Sequence, residues 1–354
     1  MCGGSEKIDT QAAMLANRLQ KRLRHLKKWA QRTKTGAFRL YDRDIPEIPL
    51  VLDYYGDAAL PQEAVLAGAL YKRPYEKDDA EEEHWLSVMK DSAAAALGIE
   101  PSRVFLKQRK RQKGASQYEK MGEARYVKNV NEGGLVFKVN LSDYLDTGLF
   151  PDRRLLRSII RSEAFGKKIL NLFSYTGSFS VYAAAGGAKS TDSVDLSNTY
   201  LSWARENFLL NGFTAQMFLR QEDFFAAGEN RLESNHRLIR TDALSFIEKA
   251  AGKKLRWDII VLDPPAFSNS KKMTDSFDLQ RDITELLKNC CFLLEPEGKI
   301  FLSVNTRRSG ITAAQLETEL SSCAKNVMVT DLSGITIDED FKGKKTPKSF
   351  LIYR

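Results

Sequence analysis

The chain has 354 residues, of which 43% are hydrophobic and 28% charged, and this composition indicates a globular protein and excludes a disordered one. Its length favours two domains, and its net charge of +8 favours a polyanionic partner. The four cysteines form no C-x-x-C pair, the three histidines are scattered, and no apolar run approaches the roughly 18 residues of a membrane span, so we expect no metal centre, no membrane partner and a cytoplasmic location.

The first predicted element is a basic amphipathic helix within residues 1–35. Leu15, Leu19, Leu23 and Leu26 fall three or four residues apart and form one apolar stripe. Lysines and arginines fill the other faces. They indicate either the solvated side of a docked helix or a helix that contacts phosphates.

Residues 36–142 predict a small α+β domain that binds RNA. Its strand-like runs are 37–42, 50–56, 64–71, 103–109 and 135–141, and a helix over 81–98 ends at Gly98. A dense basic stretch, residues 107–123, predicts either a solvated loop or a hairpin that binds nucleic acid. The candidate RNA contacts are Lys107, Arg109, Arg111 and Lys113, with Lys271 further along the chain.

From residue 143 to 354 strands alternate with helices, which predicts a doubly wound, mostly parallel α/β sheet. The predicted strands are 168–173, 189–196, 235–242, 257–263, 298–305, 324–334 and 349–354. The predicted helices are 152–162, 178–185, 198–211, 243–250, 276–294 and 312–323. No helix precedes the last strand, so we expect that strand to be antiparallel. A Rossmann-like, seven-stranded sheet with one late reversed strand is typical of class I S-adenosylmethionine-dependent methyltransferases.

Three carboxylates follow three successive predicted strands of this sheet: Asp195, Asp242 and Asp263. The carboxyl ends of parallel strands share one edge, where ligands bind, so the acids should meet the turn Ser174–Gly177. An acid after the second strand can accept hydrogen bonds from the hydroxyls of a ribose, and one after the third can accept from an adenine amino group. Each acid could instead cap a helix, which is the competing interpretation for Asp195 and Asp242.

The same turn favours S-adenosylmethionine over a dinucleotide. A dinucleotide fingerprint has three glycines, because the backbone must approach a pyrophosphate closely, whereas this turn has only Gly177. A sulfonium that carries an amino acid demands less of the backbone.

The segment after the fourth strand, DPPAF, is the predicted catalytic segment. It contains Asp263, Pro264, Pro265 and Phe267. The prolines fix the backbone and remove two N–H donors, and Phe267 could stack on a base. A plain structural turn is the alternative.

The residues of this segment also bear on which atom is methylated. No cysteine lies near the segment to act as the nucleophile that cytosine C5 requires. Ala266 stands where amine-methylating sites carry an aromatic residue. A ring nitrogen such as guanine N7 needs only positioning, and this target is consistent with the segment.

Five stretches resemble one family over nearly the whole chain: RLYDRDIPE, SDYLDTGLFPDRR, LNLFSYTGS, GGAKSTDSVDLSNTYLSWARENFLLNG and DPPAFSNSKKMTDSFDLQRD. They are similar to the RlmK type of bacterial 23S ribosomal RNA methyltransferase, which forms the C-terminal half of the bifunctional RlmKL enzymes. The resemblance implies guanine-N7 methylation by a class I methyltransferase domain behind the RNA-binding domain. Its implied partners are 23S ribosomal RNA or a large-subunit assembly intermediate, and a separate chain with the guanine-N2 activity is a further candidate.

By the family pattern, Asp152 and Arg154 should also reach the cofactor, S-adenosylmethionine. The full predicted set of cofactor contacts is Asp152, Arg154, Ser174, Tyr175, Thr176, Gly177, Asp195, Leu196, Asp242, Ala243 and Asp263. An insert at about 217–235 departs from the family and predicts either a short helix near the adenine end or surface padding. The alternative functions are methylation of cytosine C5 or of a guanine amine, or RNA binding without catalysis.

Overall fold

A computed structural model describes residues 2–71, 78–108, 126–144, 146–227, 234–268, 277–305, 310–321 and 327–353. The chain forms two compact units, one of residues 1–147 with 339–344, the other of 148–338 with 345–354. The candidate RNA contacts Arg109, Arg111, Lys113 and Lys271 lie outside the described residues. In the part of the chain that the structure describes, none of the helices has the length and apolar character needed to cross a membrane.

The first unit is built on a four-stranded sheet and two long helices. The sheet has the order β1 (Ala37–Asp42), β2 (Leu50–Tyr55), β3 (Val65–Leu70) and β4 (Val104–Gln108). All its pairs are antiparallel except β3 and β4. Helices α1 (Cys2–Arg32) and α2 (Asp79–Leu97) belong to this unit, and a separate hairpin pairs β5 (Val127–Glu132) with β6 (Leu135–Asn140).

The apolar stripe of α1 packs into the core of this unit. Leu15, Leu19 and Leu26 are fully buried, and they share a cluster with Trp85 of α2. The indole N–H of Trp85 donates to Gln11 Oε1 at 2.6 Å. Helix α1 is therefore part of the first unit, whereas the sequence suggested a segment of its own.

Six residues from near the C-terminus complete the first unit. Asp340 is fully buried; its Oδ2 accepts from the backbone N–H of Arg39 at 2.9 Å, and its carbonyl oxygen accepts from Arg22. The Arg39 guanidinium lies over the Phe341 ring at 5.2 Å. The sequence analysis did not predict that residues 339–344 belong to the first unit, because so short a polar segment has no periodicity.

The second unit contains an eight-stranded, mostly parallel sheet. Its order is β15 (Met328–Asp331), β16 (Lys348–Tyr353), β14 (Leu294–Val304), β11 (Trp257–Leu262), β7 (Lys168–Leu172), β8 (Ser190–Asp195), β10 (His236–Arg240) and β9 (Gln216–Phe218). Strand β16 is antiparallel to both neighbours, as predicted. The class I fold is confirmed, with one addition: the insert supplies β9 at the sheet edge.

Helices cover both faces of this sheet. They are α3 (Arg154–Glu163), α4 (Ser178–Ala185), α5 (Asn198–Leu210), α6 (Gln221–Ala227), α7 (Ala243–Gly252), α8 (Leu279–Phe292) and α9 (Ala313–Leu320), and a ribbon pairs β12 (Phe267–Ser268) with β13 (Phe277–Asp278). Ile169 packs with α3 and α4, while its neighbour Leu170 packs with α7 and α8. This alternation, with both faces buried, is expected of a central parallel strand.

The strand register brings four turns to one edge of the sheet. Leu172 of β7 pairs with Val194 of β8 and with Leu262 of β11, and Asp195 pairs with Arg240 of β10. The chain therefore leaves all four strands at the same level, and the three acids follow three of them.

A substitution at Gly68 can test the packing of the first sheet. A Cβ there would lie 2.2 Å from the carbonyl oxygen of Val51, a contact that neither backbone can relieve without moving. We expect Gly68→Ala to lower the free energy of unfolding by about 2 kcal/mol or more. At Gly252 an added Cβ meets nothing within 4 Å, so Gly252→Ala is the control. Equal urea midpoints for the two variants would contradict this account.

Candidate active site

The turn after β7 has an unusual backbone. Phe173, Tyr175 and Gly177 have φ angles of 58°, 52° and 73°. Two of these left-handed positions are not glycine, and such conformations persist only where the surroundings enforce them. Strained backbone of this kind concentrates at ligand sites and active sites.

Neighbouring elements hold the turn in place. The N–H of Ser174 donates to the carbonyl of Val194 at 3.0 Å, and the Asn207 amide donates to the carbonyl of Thr176 at 2.9 Å. The Thr176 hydroxyl donates to the carbonyl of Gly148 at 2.6 Å. The predicted site residues Ser174 and Thr176 are both buried.

Gly177 is required by packing as well as by its φ angle. A Cβ at this position would lie 2.9 Å from the Cβ of Ala204 on α5. The single glycine thus allows α4 to begin against α5. This need is separate from the close approach to a pyrophosphate that dinucleotide sites make.

Asp195 joins the end of β8 to this turn. Its Oδ2 accepts from the N–H of Tyr175 at 2.8 Å and its Oδ1 from the N–H of Ser197 at 2.9 Å. Burial raises the pKa of Asp195 to about 6, although these backbone N–H donors lower it. The cap of α5 is Ser197, whose hydroxyl accepts from the N–H of Tyr200, so the competing cap interpretation fails for Asp195.

Asp242, in contrast, does cap a helix. Its Oδ1 accepts from the N–H groups of Leu244 and Ser245, at 3.0 and 3.1 Å. It also lines a cleft of about 1170 Å³ together with Leu196. Ala243, the next residue, is buried. Both capping bonds go to Oδ1, so the cap and the adenine interpretations are compatible.

The insert forms the far wall of this cleft. After β9 the chain turns into α6, whose first residue, Gln221, donates from its amide to Ser245 Oγ at 2.9 Å. Both residues line the cleft beside Asp242. The insert therefore forms a short helix on the side predicted for adenine.

Asp263 is held by an arginine that the sequence analysis overlooked. Arg153 donates from Nε and Nη2 to the two oxygens of Asp263, both at 3.1 Å, and from Nη1 to Asp152 Oδ2 at 2.8 Å. Burial alone would lower the pKa of Arg153, but the two carboxylates raise it above its ordinary value. Arg154 is buried and donates to Asp338 at 2.7 Å. Of the adjacent arginines, it is Arg153 that is bonded to a strand-end acid.

Two buried polar atoms near the turn fit a bound amino acid. Among the described residues, Asp152 Oδ1 and Ser174 Oγ have no hydrogen-bond partner. Such atoms are costly unless a ligand or water satisfies them. If Asp195 binds a ribose and Asp242 an adenine, as predicted, these two atoms suit the amino-acid part of the same ligand.

The DPPAF segment leads from β11 into the β12–β13 ribbon. Pro264 is buried, Pro265 is half-buried, and Phe267 begins β12. The side chain of Phe267 lies outside the described part of the structure. The carbonyl of Ala266 accepts from the N–H of Leu279 at 3.2 Å, which ties the segment to the start of α8.

Lys107 lies in the first unit and points inward. Its ammonium group donates to the carbonyl of Tyr144. Burial lowers the pKa of Lys107 to about 8, although Asp146 and Asp143 raise it. Its role in RNA contact stays a prediction, and this hydrogen bond competes with one to a phosphate.

The described residues hold no cluster of histidine, cysteine, aspartate and glutamate side chains suited to a metal. Cys290 and Cys291 are buried in α8, and burial raises the pKa of the Cys290 thiol. A high pKa keeps a thiol protonated and unreactive.

A family model for S-adenosylmethionine-dependent methyltransferases matches residues 58–329. The chain belongs to this family. It is 42% identical over 336 residues to ribosomal RNA large subunit methyltransferase K of Neisseria meningitidis, covering 95% of this chain and 86% of that protein. It is also 42% identical to methyltransferase K/L of Methylococcus capsulatus, of which it spans only 41%. The resemblance to RlmK is confirmed, and S-adenosylmethionine is the cofactor.

Solved structures share the fold. A putative methyltransferase solved in complex with SAH matches with a TM-score of 0.68 and 25% identity, covering 97% of this chain and 82% of that one. A putative SAM-dependent methyltransferase from Streptococcus mutans matches with a TM-score of 0.67 and 24% identity, covering 97% and 81%.

Cofactor affinity should depend on the ionisation of Asp195. In the predicted role of Asp195 the hydroxyls of a ribose donate to its ionised carboxylate, and the pKa of Asp195 is about 6. Binding then requires loss of a proton below that pH, so the Kd for S-adenosylhomocysteine should rise towards about tenfold per pH unit as the pH falls. Calorimetry from about pH 5 to 7 measures this slope. Asp195→Asn should bind weakly and without that slope, and wild-type affinity in this variant would refute the assignment.

Proposed function

We propose that this chain transfers a methyl group from S-adenosylmethionine to N7 of a guanine in 23S ribosomal RNA. The observation that carries the proposal is the 42% identity, over 95% of the chain, to a large-subunit ribosomal RNA methyltransferase. The strand-end acids and the turn Ser174–Gly177 support it, because they match the needs of the cofactor.

The choice of N7 rests on chemistry. When bound, S-adenosylmethionine supplies an electrophilic methyl group; its transfer to a guanine N7 breaks one S–C bond, forms one N–C bond and removes no proton. The chain therefore has to position a base and exclude water, without a nucleophile or a general base. In this proposal Pro264 and Pro265 hold the segment against which the base lies, and Phe267 stacks on it.

Methylation of cytosine C5 is the second candidate, and the cysteines speak against it. That reaction needs a thiolate that attacks the ring. The two cysteines whose side chains are described, Cys290 and Cys291, are buried in α8. Methylation of a guanine amine would call for an aromatic residue at position 266, where this chain has alanine.

A stripe of basic residues on α1 is the proposed RNA contact in the first unit. Lys21, Arg24, Lys28 and Arg32 are exposed and follow one another at intervals of three or four residues. They form one line along the helix, about 16 Å long from the rise per residue. Arg18, by contrast, is paired with Asp44 at 2.6 Å.

The proposal is tested by methylating 23S ribosomal RNA from cells that lack this protein. Purified chain and S-adenosylmethionine should raise the 7-methylguanosine content of that RNA, as measured by mass spectrometry of its nucleosides. Asp195→Asn is the inactive control. A gain of 5-methylcytidine or of an N2-methylated guanosine would overturn the N7 assignment. Cofactor binding without methylation of any nucleoside would overturn the enzymatic function.

The basic stripe should set the salt dependence of RNA binding. Each lost phosphate contact reduces the slope of log K against log salt by roughly 1. The double variant Arg24→Gln, Lys28→Gln should therefore bind ribosomal RNA more weakly and with a flatter slope. Lys189→Gln with Lys253→Gln removes the same charge from exposed positions of the second unit and serves as the control. Equal slopes for the two double variants would place the RNA contact elsewhere.

A further inference from the structure

Arg153 makes three hydrogen bonds to two carboxylates at the strand edge. Its guanidinium bonds both oxygens of Asp263 and one oxygen of Asp152, at 3.1, 3.1 and 2.8 Å. The side chains of Arg153, Asp152 and Asp263 are 8%, 21% and 15% exposed. A two-point contact between a guanidinium and a carboxylate fixes the plane of the carboxylate as well as its position.

Packing fixes the arginine in turn. Its backbone N–H donates to the carbonyl of Phe150 at 3.2 Å, and its guanidinium lies over the Phe150 ring at 5.3 Å. The Phe150 ring packs at 5.2 Å against that of Tyr175, which packs edge-on at 4.5 Å against Tyr200. Arg153 therefore contacts the DPPAF segment directly, through Asp263, and the cofactor turn through the Phe150 ring.

We propose that Arg153 is a positioning residue that holds the Asp263 carboxylate in the orientation that receives the target base. This inference rests on the proposed function and extends it to a residue outside the predicted site. Arg153 takes one acceptor position on each oxygen of Asp263, and an ionised carboxylate has about four. The remaining positions suit two parallel donors, such as the N1–H and N2–H groups of guanine.

The charge of the pair suits the reaction. Methylation at N7 leaves the guanine ring positively charged, so its N–H groups donate more strongly in the transition state than in the ground state. A fixed carboxylate at those donors stabilises the transition state selectively, which raises kcat more than it affects binding. Asp263 can meet this need only while its plane is held, and in the described residues Arg153 is the charged side chain bonded to it.

The pairing is first tested without activity. In ¹H–¹⁵N spectra of the full chain, the Nε–H signal of Arg153, assigned by its loss in Arg153→Lys, should shift and exchange faster with water in Asp263→Asn. The Arg154 signal should stay in place, because Arg154 is paired with Asp338. If neither the shift nor the exchange rate of the Arg153 Nε–H signal changes in Asp263→Asn, the pairing is overturned.

Kinetics then tests the role. Arg153→Gln should lower kcat for methylation of 23S ribosomal RNA while leaving the Kd for S-adenosylhomocysteine near that of the wild type, and Arg153→Lys should restore part of kcat. In a double-mutant cycle, Arg153→Gln should add little to Asp263→Asn, since the arginine acts through the aspartate. Arg237→Gln, which removes the ion-pair partner of the buried Asp192 within the sheet, is the matched control, and it should lose stability without this split.

The outcomes separate the two proposals. Additive losses in the cycle, or equal losses of kcat and cofactor affinity in both Arg153 variants, would overturn the positioning role. A wild-type chain that shows the Arg153 signature and binds the cofactor but methylates no ribosomal RNA would overturn the proposed function and leave the pairing standing.

Discussion

The hydrogen bond from the Tyr175 N–H to the Asp195 carboxylate joins two neighbouring strand ends, and the arrangement of the site depends on it. It stabilises a turn in which Phe173 and Tyr175 take left-handed backbone angles. The same turn presents the Tyr175 ring to Phe150 and Tyr200. An acid at the end of β8 thus shapes the loop after β7 before any ligand arrives. The pKa of Asp195 is raised to about 6 because burial removes water from its carboxylate.

The acidic side chains of the site are compensated by different kinds of partner. Asp242 is compensated by the N–H groups at the start of α7, and Asp263 and Asp152 share one guanidinium. Among the described residues, the donors to the Asp195 carboxylate are backbone N–H groups. Since the cofactor carries a sulfonium and an ammonium group, an edge with excess negative charge suits it. The arginine keeps two nearby carboxylates from repelling each other and also orients them.

The core of the first unit is completed by segments from both ends of the chain. Its core is closed by a helix from one end of the chain and by six residues from near the other, with Asp340 fully buried between Arg39 and Arg22. Buried carboxylates need partners; here the backbone N–H of Arg39 in β1 donates to the carboxylate, while Arg22 of α1 donates to the backbone carbonyl of the same residue. In the described part of α1 the exposed charged residues are mostly basic, and such a surface suits contact with a polyanion.

The sequence by itself determined the fold class, the order of nearly all the helices and strands in the second unit, and the residues at the strand ends. It could do so because period and turn chemistry are local, and because parallel strands bring their carboxyl ends together whatever the details. The tertiary structure alone decided that Arg153 holds Asp263 while Arg154 is paired with Asp338, that Asp242 caps α7 while Asp195 does not cap α5, and that residues 339–344 return to the first unit. Adjacent arginines look alike in sequence. Which of them meets a given acid depends on the direction in which each leaves the backbone, and this is set by contacts between residues far apart along the chain.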